Sequence, residues 1–135
     1  MDMMSIRRRM MMQKVQTGPV DLFNGSDLRD NLRIYQVGVG SPIQLVSSTA
    51  SKVYAFACPV VSGEQYKIKY TVTNPVATSG RQWCISDANS NMVYSNNMVY
   101  QMPSGYSEVT ITAQGTGYLW MTMDKNASDI HIYKV

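Results

Sequence analysis

At 135 residues the chain fits one domain, long enough to bury a core without disulfide or metal staples. An apolar fraction of 44% beside a charged fraction of 16% argues against disorder, since disordered chains are richer in charge. The net charge of +3 sits entirely on residues 1–14, where Arg7, Arg8, Arg9 and Lys14 face only Asp2, while residues 15–135 balance eight cations with eight anions. Such a neutral body argues against a nucleic-acid-binding domain, because neutralising phosphates takes a clustered basic face.

Residues 1–18 read as an arm, closed by Gly18-Pro19. Six of the eleven methionines lie in residues 1–12. As a helix the arm would align Met3, Ile6 and Met10 on one side, with Arg7 and Lys14 nearby. A helix this short is marginal alone, so the expectation is an extended or short-helical arm that orders against a partner. Methionine suits an irregular groove on another protein, and arginine suits bidentate pairing with carboxylates. The partner-binding residues expected here are Met3, Ile6, Arg7, Arg8, Arg9, Met10, Met11 and Met12. A cationic arm also suits nucleic acid or anionic lipid, with protein the first choice. Met10-Met11-Met12 runs at once into Gln13-Lys14, too short for a secretory h-region, and no window approaches a membrane span. The expectation is a soluble chain made in a cytoplasm.

Residues 19–42 read as a linker with a first strand. Asn24-Gly25, Gly38, Gly40 and Pro42 punctuate it, Ser26-Asp27 offers a cap for a short helical turn through Asp30 or Leu32, and Ile34 to Val37 suits a strand.

Residues 43–135 read as short strands separated by turn signals. The candidates are 43–47, 52–58, 65–73, 82–86, 92–95, 98–101, 107–113, 117–123 and 130–135. In the clearest, Tyr66, Ile68, Tyr70 and Val72 alternate with Lys67, Lys69, Thr71 and Thr73, as a strand with one buried and one wet face does. Val109 and Ile111 repeat the pattern between Glu108, Thr110 and Thr112. The repeat of Asn91-Met92-Val93-Tyr94 as Asn97-Met98-Val99-Tyr100 predicts a hairpin turning at Ser95-Asn96. Strands at this spacing predict an all-β, two-sheet sandwich, jelly-roll-like.

Chemistry-bearing residues are sparse. Cys58 and Cys84 lie inside apparent strands without metal spacing and read as small buried hydrophobes, a single cross-strand disulfide being the alternative. His131, the one histidine, stands among β-branched neighbours and reads as an ordinary strand residue. No nucleophile–base set, phosphate loop or metal cluster is legible, so the expectation is a non-enzyme without cofactor. The competing function is carbohydrate binding. Trp83, Tyr94, Tyr100, Tyr106, Tyr118 and Trp120 supply rings, and Asn89, Asn91, Asn96 and Asn97 supply amides; Trp83, Tyr94, Tyr100 and Trp120 are the glycan-binding candidates. Trp120 and Tyr118 share one face of their strand, with Leu119, Met121 and Met123 on the other, so one face is expected to point outward.

Two segments carry a resemblance. Ser5-Ile6-Arg7-Arg8-Arg9-Met10-Met11-Met12 resembles the openings of small structural proteins of tailed phages and prophages of gut bacteria. The body, from Pro59-Val60-Val61-Ser62-Gly63-Glu64-Gln65-Tyr66 through Trp83-Cys84-Ile85-Ser86-Asp87 to Asp129-Ile130-His131-Ile132-Tyr133, is similar to jelly-roll modules of phage tail, baseplate and fibre proteins. Those modules also resemble carbohydrate-binding domains. The resemblance implies a virion protein that docks by its arm onto other particle proteins, as capsid decoration, head-fibre anchor, or tail or baseplate accessory. Symmetric assembly is expected of such a protein, and no ligand residues carry over.

Overall fold

The computed structural model describes residues 19–35, 38–76, 81–100 and 102–135. The expected arm residues, Met3, Ile6, Arg7, Arg8, Arg9, Met10, Met11 and Met12, lie outside the described residues. Within them the protein is all-β, with eight strands: β1 (Leu28–Tyr35), β2 (Gln44–Val60), β3 (Gln65–Val72), β4 (Arg81–Ser86), β5 (Met92–Tyr100), β6 (Gly105–Thr112), β7 (Gly117–Asp124) and β8 (Ala127–Lys134). They form two antiparallel sheets, ordered β1-β2-β7-β4-β5 and β6-β3-β8, stacked as a sandwich.

Burial follows the alternation in β3, where Tyr66, Ile68, Tyr70 and Val72 enter the core and Lys67, Lys69 and Thr71 remain half-exposed. Facing them from the larger sheet are Cys58, Trp83, Ile85, Leu119, Met121 and Met123, all buried. This inter-sheet layer is the main core.

A second core lies on the other side of the larger sheet. Ile34, Val53, Ala55, Cys84, Met92 and Trp120 cluster there, with Leu32, Ile43, Leu45 and Phe56 packed on them. The β1–β2 hairpin makes the cover. Its register on β2 jumps from Asp30↔Lys52 to Leu32↔Ser47, and Asn31 takes a positive φ of 58° at the break, a conformation asparagine tolerates better than most residues. The outer half of the hairpin thereby folds across its own sheet. The Ile34 amide donates to Thr122 Oγ1 at 3.0 Å. The hairpin tip is fastened to the head of β5, Gly40 N donating to Met92 O (2.7 Å), Met92 N to Ser41 O (2.8 Å) and Ile43 N to Ser90 O (2.9 Å).

Several sequence expectations are corrected here. No helical turn follows Ser26-Asp27, where β1 begins at Leu28. The Asp27 carboxylate is taken by Arg29, at 3.0 and 3.2 Å, and its carbonyl by Ala55 N at 3.0 Å, so pairing with β2 overrides the local cap. The strands expected at 43–47 and 52–58 are one bent strand, β2. The repeat in residues 91–100 forms no hairpin but the single strand β5, because β4 offers a ladder along its length: Ser86↔Met92, Cys84↔Ser95, Trp83↔Asn96 and Arg81↔Tyr100. Both faces of β7 are buried, since the hairpin roofs the Trp120 side.

Candidate functional site

The two outer surfaces of the sandwich differ. On the larger sheet the chain itself covers the face. On the smaller sheet no strand among the described residues covers the face, and the period-2 pleat of its strands gathers charged and aromatic side chains there. Lys67 and Lys69 come from β3, Tyr106 and Glu108 from β6, His131 and Tyr133 from β8. The register sets Lys69 between Glu108 and His131, with Lys67 opposite Tyr133.

These groups form one connected cluster. The Tyr106 hydroxyl, on a side chain belonging to a 60% exposed residue, donates to Glu108 Oε1 at 2.6 Å. Lys67 and Lys69 each bring an ammonium to 3.7 Å from the same carboxylate. The Lys69 ammonium lies 5.2 Å from the centre of the Tyr133 ring, a cation–π distance. The Tyr133 and His131 rings are nearly parallel, 15° apart with centroids 6.2 Å apart. Hydrogen bonding to Glu108 pushes the Tyr106 phenol up to about 12, and the same bond, aided by the two lysines, holds Glu108 below the usual carboxylate range. Beside the cluster, a shallow depression of about 220 Å³ is lined by Pro19, Lys67, Lys69, Tyr133, Lys134 and Val135.

The charges on this side are largely spent on one another. Lys134 pairs with Glu64 at 2.9 Å, and His131 with Asp21 and Asp129 at 2.7 and 2.9 Å. The result is a polar, aromatic surface on which three lysines face four carboxylates, with His131 between two of the latter.

The aromatic residues expected to bind glycans lie elsewhere, and two of them require correction. Trp83 and Trp120 are each 1% exposed, so neither offers a ring face to a ligand. Trp83 packs in the inter-sheet core against Tyr94, ring centres 5.7 Å apart, and its Nε1 finds no acceptor among the described residues. Trp120 lies beneath the hairpin, its Nε1 donating to Ser86 Oγ at 2.8 Å, with the Arg29 guanidinium 5.0 Å over its ring. The physical reason is area: large rings stabilise most when buried, and central strands supply the buried positions. Tyr94 is half-buried, and the side chain of Tyr100 lies outside what is described. The open face instead holds Tyr106, whose outward direction follows from the inward Val109 and Ile111 two and four places from Ser107, and Tyr133.

Cys58 and Cys84 are free and buried, one in the inter-sheet core and the other in the roofed cluster. Burial pushes both thiols up to about 12, which suits packing and opposes thiolate chemistry. Among the described residues no group of three or more His, Cys, Asp or Glu is arranged to hold a metal ion.

No protein-family model matches the chain, and no curated protein or solved structure matches it either.

Proposed function

We propose that the protein is a non-enzymatic structural component of a tailed-phage or prophage particle, docking through residues 1–18 onto a neighbouring virion protein. The observation that carries the docking is the self-pairing of the body. Arg29, Lys67, Lys69 and Lys134 pair with Asp27, Glu108 and Glu64, and over residues 15–135 eight cations balance eight anions, which leaves the net basic excess to residues 1–14. A cationic arm then supplies attachment to an acidic surface, and a neutral sandwich packs beside its copies without repulsion. The phage setting rests on the resemblance of residues 5–12 and of the body. The strand order supports a jelly roll: β2-β7-β4-β5 lies against β8-β3-β6, and the chain crosses between sheets at most connections. β1 pairs with β2, while the stretch before it reaches β8 through Leu22 N donating to Ile132 O at 2.8 Å.

Deleting residues 1–14 is expected to leave the melting transition in place and abolish incorporation into particles, measured by mass spectrometry of purified virions. Incorporation at normal occupancy would sink the docking reading.

A second reading, carbohydrate binding for host-surface attachment, is favoured by the open face of β6-β3-β8. Tyr106 and Tyr133 present rings there beside ammonium groups that donate to sugar hydroxyls and a carboxylate that accepts from them. On a glycan array, any sugar bound should be lost in Tyr106→Ala and Tyr133→Ala. Binding that survives both changes, or no binding to any glycan, removes this reading.

A further inference from the structure

Among the described residues β8 is an edge strand, paired on one side with β3 and on the other with no strand. Exposed edges invite pairing with other chains unless something covers them. Here the lead-in residues 19–22 lie along that edge, before Asn24 N turns to Ala57 O of β2 at 2.6 Å. Leu22 N donates to Ile132 O at 2.8 Å, Asp21 Oδ1 accepts from Ile132 N at 3.0 Å, and the same oxygen accepts from Phe23 N at 3.0 Å.

Asp21 has a further partner. Its Oδ2 is 2.7 Å from His131 Nδ1, while His131 Nε2 is 2.9 Å from Asp129 Oδ1. A neutral imidazole has one N–H and one lone pair. It satisfies one of these carboxylates as a donor and turns a lone pair toward the other. Only the imidazolium donates to both. Asp129 joins the cluster from a bulge, at the register break opposite Lys69 and Thr71, with φ of 53°.

The groups facing His131 come from three elements: Asp21 from the lead-in, Asp129 and Tyr133 from β8, and Lys69 across the ladder on β3. Lys69 opposes a second positive charge, but its ammonium is directed to Glu108 and the Tyr133 ring. The two carboxylates dominate.

We propose that Asp21, His131 and Asp129 form a proton-operated latch, which holds residues 19–22 on the edge of β8 when the imidazole carries both protons and loosens when one is lost. Release bares the backbone groups of the β8 edge and frees the root of the N-terminal arm. The sign follows from the geometry and agrees with the raised His131 value, caused first by the hydrogen bond to Asp21 and then by that to Asp129. A group that binds its proton more tightly when folded contributes fully below its ordinary value of 6.5, and that contribution disappears as pH rises through the raised folded value. The latch is closed in mild acid and weakened in mild base.

The test is an NMR titration of the ¹⁵N-labelled full chain between about pH 5.5 and about pH 9, the range in which histidines change charge. It follows the His131 ring and the exchange protection factors of Leu22 and Ile132, corrected for intrinsic exchange. Protection of both amides should fall as His131 deprotonates, while the Ile68 amide in β3 holds. The fall should equal the ratio of His131 proton dissociation constants between Asp21→Asn and the unaltered chain. In His131→Gln, whose side chain does not titrate, protection should be flat with pH. Constant Leu22 protection across the His131 titration overturns the latch, and so does a Gln variant that keeps the pH-dependent loss.

Discussion

The two outer faces of this sandwich are built from similar strands and meet opposite fates. On the larger sheet, Cys84, Met92 and Trp120 point outward and would expose apolar surface, but the β1–β2 hairpin folds over them and places Ile34 at their centre. On the smaller sheet, Lys67, Lys69, Glu108 and Tyr106 point outward and need no cover, because their charges pair in water. An apolar outer face of this kind must recruit a lid from its own chain or a partner. A polar face remains available for recognition. The roofed face is apolar and filled by its own chain, and the other is polar and self-paired.

That contrast can be broken by substitution. The largest effect is expected for Trp120→Ala, which empties the roofed cluster and should cost about 3–5 kcal/mol in urea unfolding; a loss of less than about 1 kcal/mol would show that the hairpin seals nothing. Ser86→Ala removes the acceptor of the Trp120 indole N–H and should cost about 1–3 kcal/mol by leaving a buried donor unsatisfied. The smallest effect is expected on the open side. Tyr106→Ala should leave the urea midpoint where it is, as surface changes generally do. A loss there would make the face structural and dissolve the distinction.

How far the fold could be read in advance depended on the range of the interactions involved. β3 was legible because alternation is a local property: Tyr66, Ile68, Tyr70 and Val72 declare one face without reference to any other strand. The same logic showed that β7 has two large faces but not that both are covered, because the cover is Ile34, whose amide reaches Thr122 across 88 positions. The repeat at 91–100 misled for a related reason. Two like segments around Ser95-Asn96 satisfy the local rule for a hairpin, yet β4 pairs with both copies in one ladder. Ring-rich strands suggested a binding platform at Trp83 and Trp120, whereas burial claimed the largest rings first. Of the candidate site, the outward placement of Tyr106 was accessible from the alternation in β6. The setting of His131 was not, since Asp21 lies 110 positions away and no local pattern joins them.

The folded-over hairpin also constrains how the molecule assembles itself. Its two strands are neighbours in sequence and can associate early, but the surface they cover is completed only when β4, β5 and β7 have been laid beside β2. Until then Ile34 and Leu45 have nothing to rest on. A chain so dependent on distant partnerships belongs with the slower-maturing β proteins, and its first-made strands spend the longest time waiting.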